Sequence, residues 1–143
     1  MRFIRNHSNR AGYTITELMV VVAIIGILAV MVIPAFAGFL RASRFQGAQS
    51  QLMTDIYFAR SLAISRHRTI AIRFSAGQYL VVDTSDNSVA KTTDAPSGVT
   101  FATTANPNFY SWGLADPVNI TVTGLSRTRV LNLLPTGTVT HGS

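Results

Sequence analysis

The sequence predicts an α+β protein in which a long N-terminal helix, transmembrane in its first half, packs on an antiparallel β-sheet domain. Three observations carry this reading. Leu18 to Leu40 contains no ionisable side chain. Phe45, Ala48, Leu52, Ile56, Ala59 and Ala63 recur at steps of three and four, as one stripe of a helix requires. After Arg68 the pattern changes to short alternating runs separated by Gly, Pro, Asn and Ser.

The first twelve residues carry Arg2, Arg5 and Arg10 and no acid. Such a basic flank holds an N-terminus on the cytoplasmic side while the hydrophobic run inserts behind it. The 23 residues from Leu18 to Leu40 span roughly 35 Å as a helix, enough for a bilayer core. Glu17 stands alone at the mouth of this run. An acid there costs on the order of 1–3 kcal/mol in lipid unless it is paired, so its position implies a cationic partner. One helix from about Thr14 to about Ser65 accounts for the periodicity, with residues 13–40 in the membrane and an amphipathic part at 41–66. Pro34 removes one backbone hydrogen bond and is expected to kink it. Gly38 and Gly47 each lower helix propensity by about 1 kcal/mol relative to Ala. Arg44, Gln49, Asp55 and Arg60 are expected off the apolar stripe.

The sheet is expected between residues 69 and 140. Thr69–Phe74 alternates, Ser75-Ala76-Gly77 supplies a turn, and Gln78–Asp83 returns as a partner strand. Thr84–Gly98, rich in Ser, Thr and Asp, is expected as an exposed loop. Val99–Thr103, Val118–Thr123 and Thr128–Leu134 read as further strands, and Leu134-Pro135-Thr136-Gly137-Thr138-Val139 as a turn into a short last one. About 100 residues beyond the membrane segment suffice for one modest domain.

Little in the chain points to catalysis. There is no cysteine, hence no disulfide and no Cys-based metal site. His67 and His141 lack the carboxylate spacing of a zinc site, and nothing marks Ser61 and His67 as a nucleophile and base. Asp83, Asp86 and Asn87 lack the ligand alternation, central Gly and terminal Glu of a calcium loop. The expectation is therefore a non-enzyme with no cofactor and no metal. Arg66, His67, Arg68 and Arg73 form one basic cluster and Arg127 with Arg129 another. Alternate strand residues share a face, so the second pair could address a phosphate backbone, with Phe109, Tyr110 and Trp112 stacking on bases. The competing reading, preferred here, is that these arginines solubilise the domain and bind duplex DNA weakly or not at all.

Cleavage after Gly12 would place a new α-amino group on Tyr13, four residues and one helical turn from Glu17. It would also remove three arginines, lowering the net charge from +6 to +3. Gly12, Tyr13, Thr14 and Glu17 followed by Leu-Met-Val-Val-Val-Ala-Ile-Ile-Gly-Ile-Leu-Ala resemble the type III leader signature of type IV pilins and type II secretion pseudopilins. The resemblance implies a leader at 1–12 removed by a prepilin peptidase, N-methylation of Tyr13, an assembly role for Glu17 and a bend at Pro34. It also implies a single-pass inner-membrane subunit with a periplasmic domain at 41–143. The partners implied are other pilins or pseudopilins in a filament, and an exported protein. Tyr13 departs from the phenylalanine usual at that position. A secretory signal cleaved after Ala35-Phe36-Ala37 is the rival, but its apolar core would be too long and Glu17 misplaced.

Two further segments sharpen the likeness. Ala59-Arg60-Ser61-Leu62-Ala63-Ile64 before a hairpin, and Leu133-Leu134-Pro135-Thr136-Gly137 near the end, resemble GspH/FimT-type minor (pseudo)pilins, with Leu62 and Leu133 replacing an acid and an aromatic. That group implies filament assembly or initiation and protein export. The alternative it implies is a minor pilin that binds DNA for uptake. The missing disulfide leans towards a pseudopilin or minor subunit.

Overall fold

Helix α1 runs from Ile15 to Arg66 and is followed by eight strands. The computed structural model describes residues 13–75, 77–124 and 127–142, with the side chains of Met31, Pro34 and Ala35 outside that set. The expected leader, including Gly12, lies outside the described residues. Two compact units divide the chain, Met1–Gly38 and Phe39–Ser143.

In the first unit the described large apolar side chains are exposed on every side of the helix: Leu18, Met19, Ile27 and Leu28, about a quarter-turn apart around the axis, each lie at 56% or more. A helix apolar all round has no aqueous face and matches an apolar surrounding. Among the described residues no helix is long and apolar enough to cross a membrane. The uncharged run is a property of the sequence from Leu18 to Leu40, which includes three residues whose side chains are not described. The helical assignment continues through Pro34.

The second unit is built on the stripe. Phe45, Ala48, Leu52, Ile56, Ala59 and Ala63 are all at most 5% exposed. They pack with Ile70, Ile72, Tyr79 and Val81 of one sheet and Ile120, Val122, Leu131 and Leu133 of another. The first sheet comprises β1 (Ile70–Ser75), β2 (Gln78–Asp83), β3 (Val89–Asp94) and β5 (Asn108–Phe109), ordered β3-β2-β1-β5. The second comprises β4 (Thr100–Thr103), β6 (Val118–Gly124), β7 (Arg127–Leu133) and β8 (Val139–His141), ordered β4-β6-β7-β8. All pairings are antiparallel. The expected single sheet is thus two four-stranded ones, a division set by pairings distant in sequence.

α1 stops by a Schellman motif. The Arg68 amide donates to Ala63 O at 3.2 Å and the His67 amide to Ile64 O at 3.4 Å, with His67 left-handed at φ 53°. The terminal turn forms as expected: Gly137, at φ 72°, donates its amide to Leu134 O at 2.8 Å ahead of β8.

Two expectations are corrected. Thr84–Gly98 is not only a loop, because Val89–Asp94 forms edge strand β3. Its side chains are exposed or half-buried, so no buried alternation marks it. What holds it is backbone pairing with β2 from Gln78↔Asp94 to Val82↔Val89, with a register shift between Val81 and Val82. Asp55 and Gln49 do not lie off the buried face. Asp55 is 0% and Gln49 8% exposed.

Asp55 is the hub of a buried polar network. Its Oδ2 accepts from the Tyr79 hydroxyl and the Thr93 hydroxyl, both at 2.8 Å. Its Oδ1 accepts from Lys91 Nζ at 2.6 Å and from Gln51 Nε2 at 3.1 Å. One carboxylate therefore ties α1 to β2 and to edge strand β3. Burial opposes its ionisation, but hydrogen bonds from Lys91, Thr93, Tyr79 and Gln51 outweigh that and hold its carboxyl below the usual range. Burial and the Asp55 carboxylate both push the Tyr79 phenol upward.

Removing Asp55 leaves the buried Tyr79 hydroxyl without its acceptor, while Lys91 remains partly in water, so Asp55→Ala should cost about 1–3 kcal/mol in urea unfolding. Because the folded pKa is depressed, this contribution is complete above the unfolded value of about 3.9 and is lost as pH falls through the folded value. Asp55→Asn should accordingly flatten the acid limb of the stability profile between pH 5 and pH 2, and an unchanged limb would contradict the assignment. Leu52→Ala, in the centre of the stripe, should cost about 2–5 kcal/mol by the same measurement.

Candidate assembly site

The first turn of α1 satisfies itself. Thr14 precedes the helix as its cap: the Glu17 amide donates to Thr14 Oγ1 at 3.2 Å, and the Thr14 amide donates back to Glu17 Oε2 at 2.9 Å. The Thr14 hydroxyl adds a bond to the same carboxylate oxygen at 3.1 Å. This is a reciprocal capping box, and Thr14-Ile15-Thr16-Glu17 fits its sequence signature. The charge of Glu17 alone implies a cationic partner, whereas the structure supplies an uncharged local one in Thr14. The carboxylate sits at the positive end of the helix dipole. Tyr13, one residue before the cap, is 90% exposed. An amine on Tyr13 would adjoin the amide that Glu17 already binds.

The other sequence-predicted residues fall in separate places. Arg127 and Arg129 are exposed on β7 and occupy alternate positions, as expected for one face. The aromatic trio does not act together. Phe109 is 0% exposed in the core, whereas Trp112 is 69% exposed and stacks on Tyr110 at 5.1 Å and 2° between planes. The Tyr110 amide donates to Leu114 O at 2.9 Å, closing the turn that carries Trp112. Trp112 also lies far from the arginines. Its neighbour Gly113 approaches Ile64 and Arg60, while Gly124, opposite Arg127, approaches Phe45. Ile64 and Phe45 are separated by about 28 Å of helix, so aromatics and arginines do not form one stacking groove.

The candidate calcium loop is held by an internal cation. Arg68 Nη1 lies 3.3 Å from Asp83 Oδ2 and 3.4 Å from Asp86 Oδ2. Asn87 Oδ1 accepts from Arg73 Nη2 at 3.1 Å. Hydrogen bonds from Ser85 hold the Asp83 carboxyl below its usual range, with burial opposing and Arg68 assisting. Among the described residues no group of three or more His, Asp or Glu is placed to hold a metal. His67 serves as the helix stop, and Arg60 Nε donates to Gly113 O at 2.9 Å. Three of the four members of the basic cluster, His67, Arg68 and Arg73, are therefore architectural. Sequence reasoning missed Asp55, whose spacing of three from Leu52 and four from Ala59 places it on the stripe.

Known proteins resemble the chain in sequence motif and in fold. A family model described as type II transport protein GspH matches residues 48–137, and one for a prokaryotic N-terminal methylation motif matches residues 7–33. No curated protein matches the chain. Among solved structures, the type IV minor pilin FimU of Pseudomonas aeruginosa is similar, with a TM-score of 0.61 at 18% identity over 73% of this chain and 92% of that one. The minor pseudopilin EpsH of the Vibrio cholerae type 2 secretion system is similar too, with a TM-score of 0.55 at 14% identity over 68% of this chain and 94% of that one. The helix on antiparallel sheets is thus a pilin-like fold, and the chain belongs to the GspH family of minor pseudopilin and type IV pilin-like proteins.

Proposed function

We propose that the chain is a minor pseudopilin that enters the inner membrane as a single-pass precursor, is cleaved after Gly12 and methylated on Tyr13, and joins a filament through its first helix. The observation carrying this reading is the capped carboxylate at the head of an uncharged run. Before assembly the capping box spares Glu17 an unpaired charge at the membrane edge, because two Thr14 donors already bind it. On assembly a neighbouring N-terminal amine supplies the opposite charge, and the pair forms in a low-dielectric bundle where attraction is strong. The exposed apolar surface of the first unit then packs against other such helices instead of lipid. The uncharged sequence from Leu18 to Leu40 supports the insertion step.

The likeness to a secretion-system pseudopilin and to a pilus minor pilin supports a place in either machine. The missing disulfide and the GspH match favour the type II secretion pseudopilus. In it the domain beyond the helix would act in assembly or initiation and contact an exported protein. The DNA-uptake alternative has the exposed pair Arg127 and Arg129 in its favour, but the separation of these arginines from Trp112 weighs against it.

Capping and charge pairing can be separated. Gln is competent at the third helical position of a capping box but carries no charge, so Glu17→Gln should retain the first helical turn. Both Glu17→Gln and Glu17→Ala should insert and lose the leader, yet both should be absent from sheared filaments. Normal incorporation of Glu17→Gln would remove the electrostatic role and leave Glu17 as a helix cap alone.

A further inference from the structure

Four arginines that make no hydrogen bond or ion pair among the described residues, Arg41, Arg44, Arg127 and Arg129, lie at one end of the second unit, whereas Arg66, likewise exposed, closes α1 at its other end. Phe45 of α1 meets the end of β6 so closely that a Cβ on Gly124 would lie 2.7 Å from Phe45 Cδ2. Arg127 pairs with Gly124, and Arg129 pairs with Val122, which is 0% exposed in the core. Cross-strand partners share a face, so both arginines lie on the helix-facing side of β7, beyond the part that the core covers. Arg41 is one helical turn before Phe45, and Arg44 adjoins it. All four are exposed.

None of the four makes an ion pair among the described residues, and five of the six acids are engaged elsewhere. Asp55 is bound by Lys91, Asp83 and Asp86 by Arg68, and Asp116 by Asn108 and Tyr110. Glu17 is capped by Thr14 in the first unit. Asp94, the remaining acid, borders a recess with Gly47, Ala48 and Gln51 that begins one helical turn beyond Arg44, without pairing to it. Four like charges held together repel one another. In the proposed topology, Arg41 and Arg44 also flank the span on the translocated side, against the usual bias of Lys and Arg. An external anion would offset both costs.

We infer that Arg41, Arg44, Arg127 and Arg129 form a face that binds the phosphates of anionic phospholipid headgroups. The inference rests on the membrane insertion proposed above. Arg41 directly follows the uncharged run, and Phe39 and Leu40, exposed at 67% and 38%, precede it. Guanidinium groups at that level reach phosphate oxygens with paired donors while their stems lie along apolar surface. This continuity with the apolar run favours a lipid surface over a nucleic acid.

The test uses the full chain in neutral detergent, offered equal phosphatidylglycerol and phosphatidylcholine, with retained lipid quantified. Each surface arginine near an anionic lipid is worth about fivefold. Arg127→Gln with Arg129→Gln should lower phosphatidylglycerol retention about tenfold or more, and adding Arg41→Gln with Arg44→Gln should abolish the preference. Lys at the same four positions should restore it, which separates lost charge from misfolding. Leader arginines are common to every variant, so the difference reads the face alone. Equal retention of both lipids by the wild type, or no loss on the Gln substitutions, would overturn the inference. So would duplex DNA retained by the wild type and lost in the Gln variants while lipid retention stays constant. Carbonate extraction from membranes reads insertion separately: release of the chain would sink the insertion reading whatever the lipid assay gives.

Discussion

α1 must satisfy two surroundings with one backbone conformation, and the rest of the structure follows from how its side chains divide that task. Up to Leu40 the helix is apolar on every side and begins with a single carboxylate. From Arg41 it is apolar along one stripe, against which two sheets close. The backbone hydrogen bonds are local in both parts, so only side-chain chemistry distinguishes them. That chemistry is visible at the ends: Thr14 and Glu17 cap the start, and His67 in the left-handed region sets the stop.

Asp55 shows how the second part gains specificity beyond apolar packing. An apolar stripe alone holds α1 against β1, β2, β6 and β7, all of which contribute core residues. It does not hold β3, whose side chains are exposed or half-buried. The Asp55 carboxylate reaches Lys91 and Thr93 of that strand while also binding Tyr79 of β2. A buried carboxylate is costly when unmatched, and here four donors match it. The edge strand thus sits in one register without a buried large apolar side chain.

Much of this was legible in the sequence because it depends on short-range periodicity. The stripe from Phe45 to Ala63 is set by steps of three and four, and every member is buried as read. The β1–β2 hairpin, β4, β6, β7 and the Gly137 turn follow from alternation and turn chemistry. Asp55 was misread because its charge was weighed above its spacing, although that spacing placed it on the buried face. β3 was misread because an edge strand needs neither alternation nor apolar residues, only a partner's free backbone groups. The division into two sheets and the outward stacking of Trp112 on Tyr110 depend on contacts that no local pattern encodes. At the assembly site the capping-box signature is present in Thr14-Ile15-Thr16-Glu17, but the charge of Glu17 beside an apolar run points first to a cation.

The account's centre is a carboxylate kept one turn from an amine that proteolysis creates, on a helix retained in the mature chain. The intact mass of the protein extracted from membranes tests this directly. The account predicts a chain that begins at Tyr13 with one methyl group on its amine. A chain that begins at Gly38, or one that keeps Met1, would contradict it.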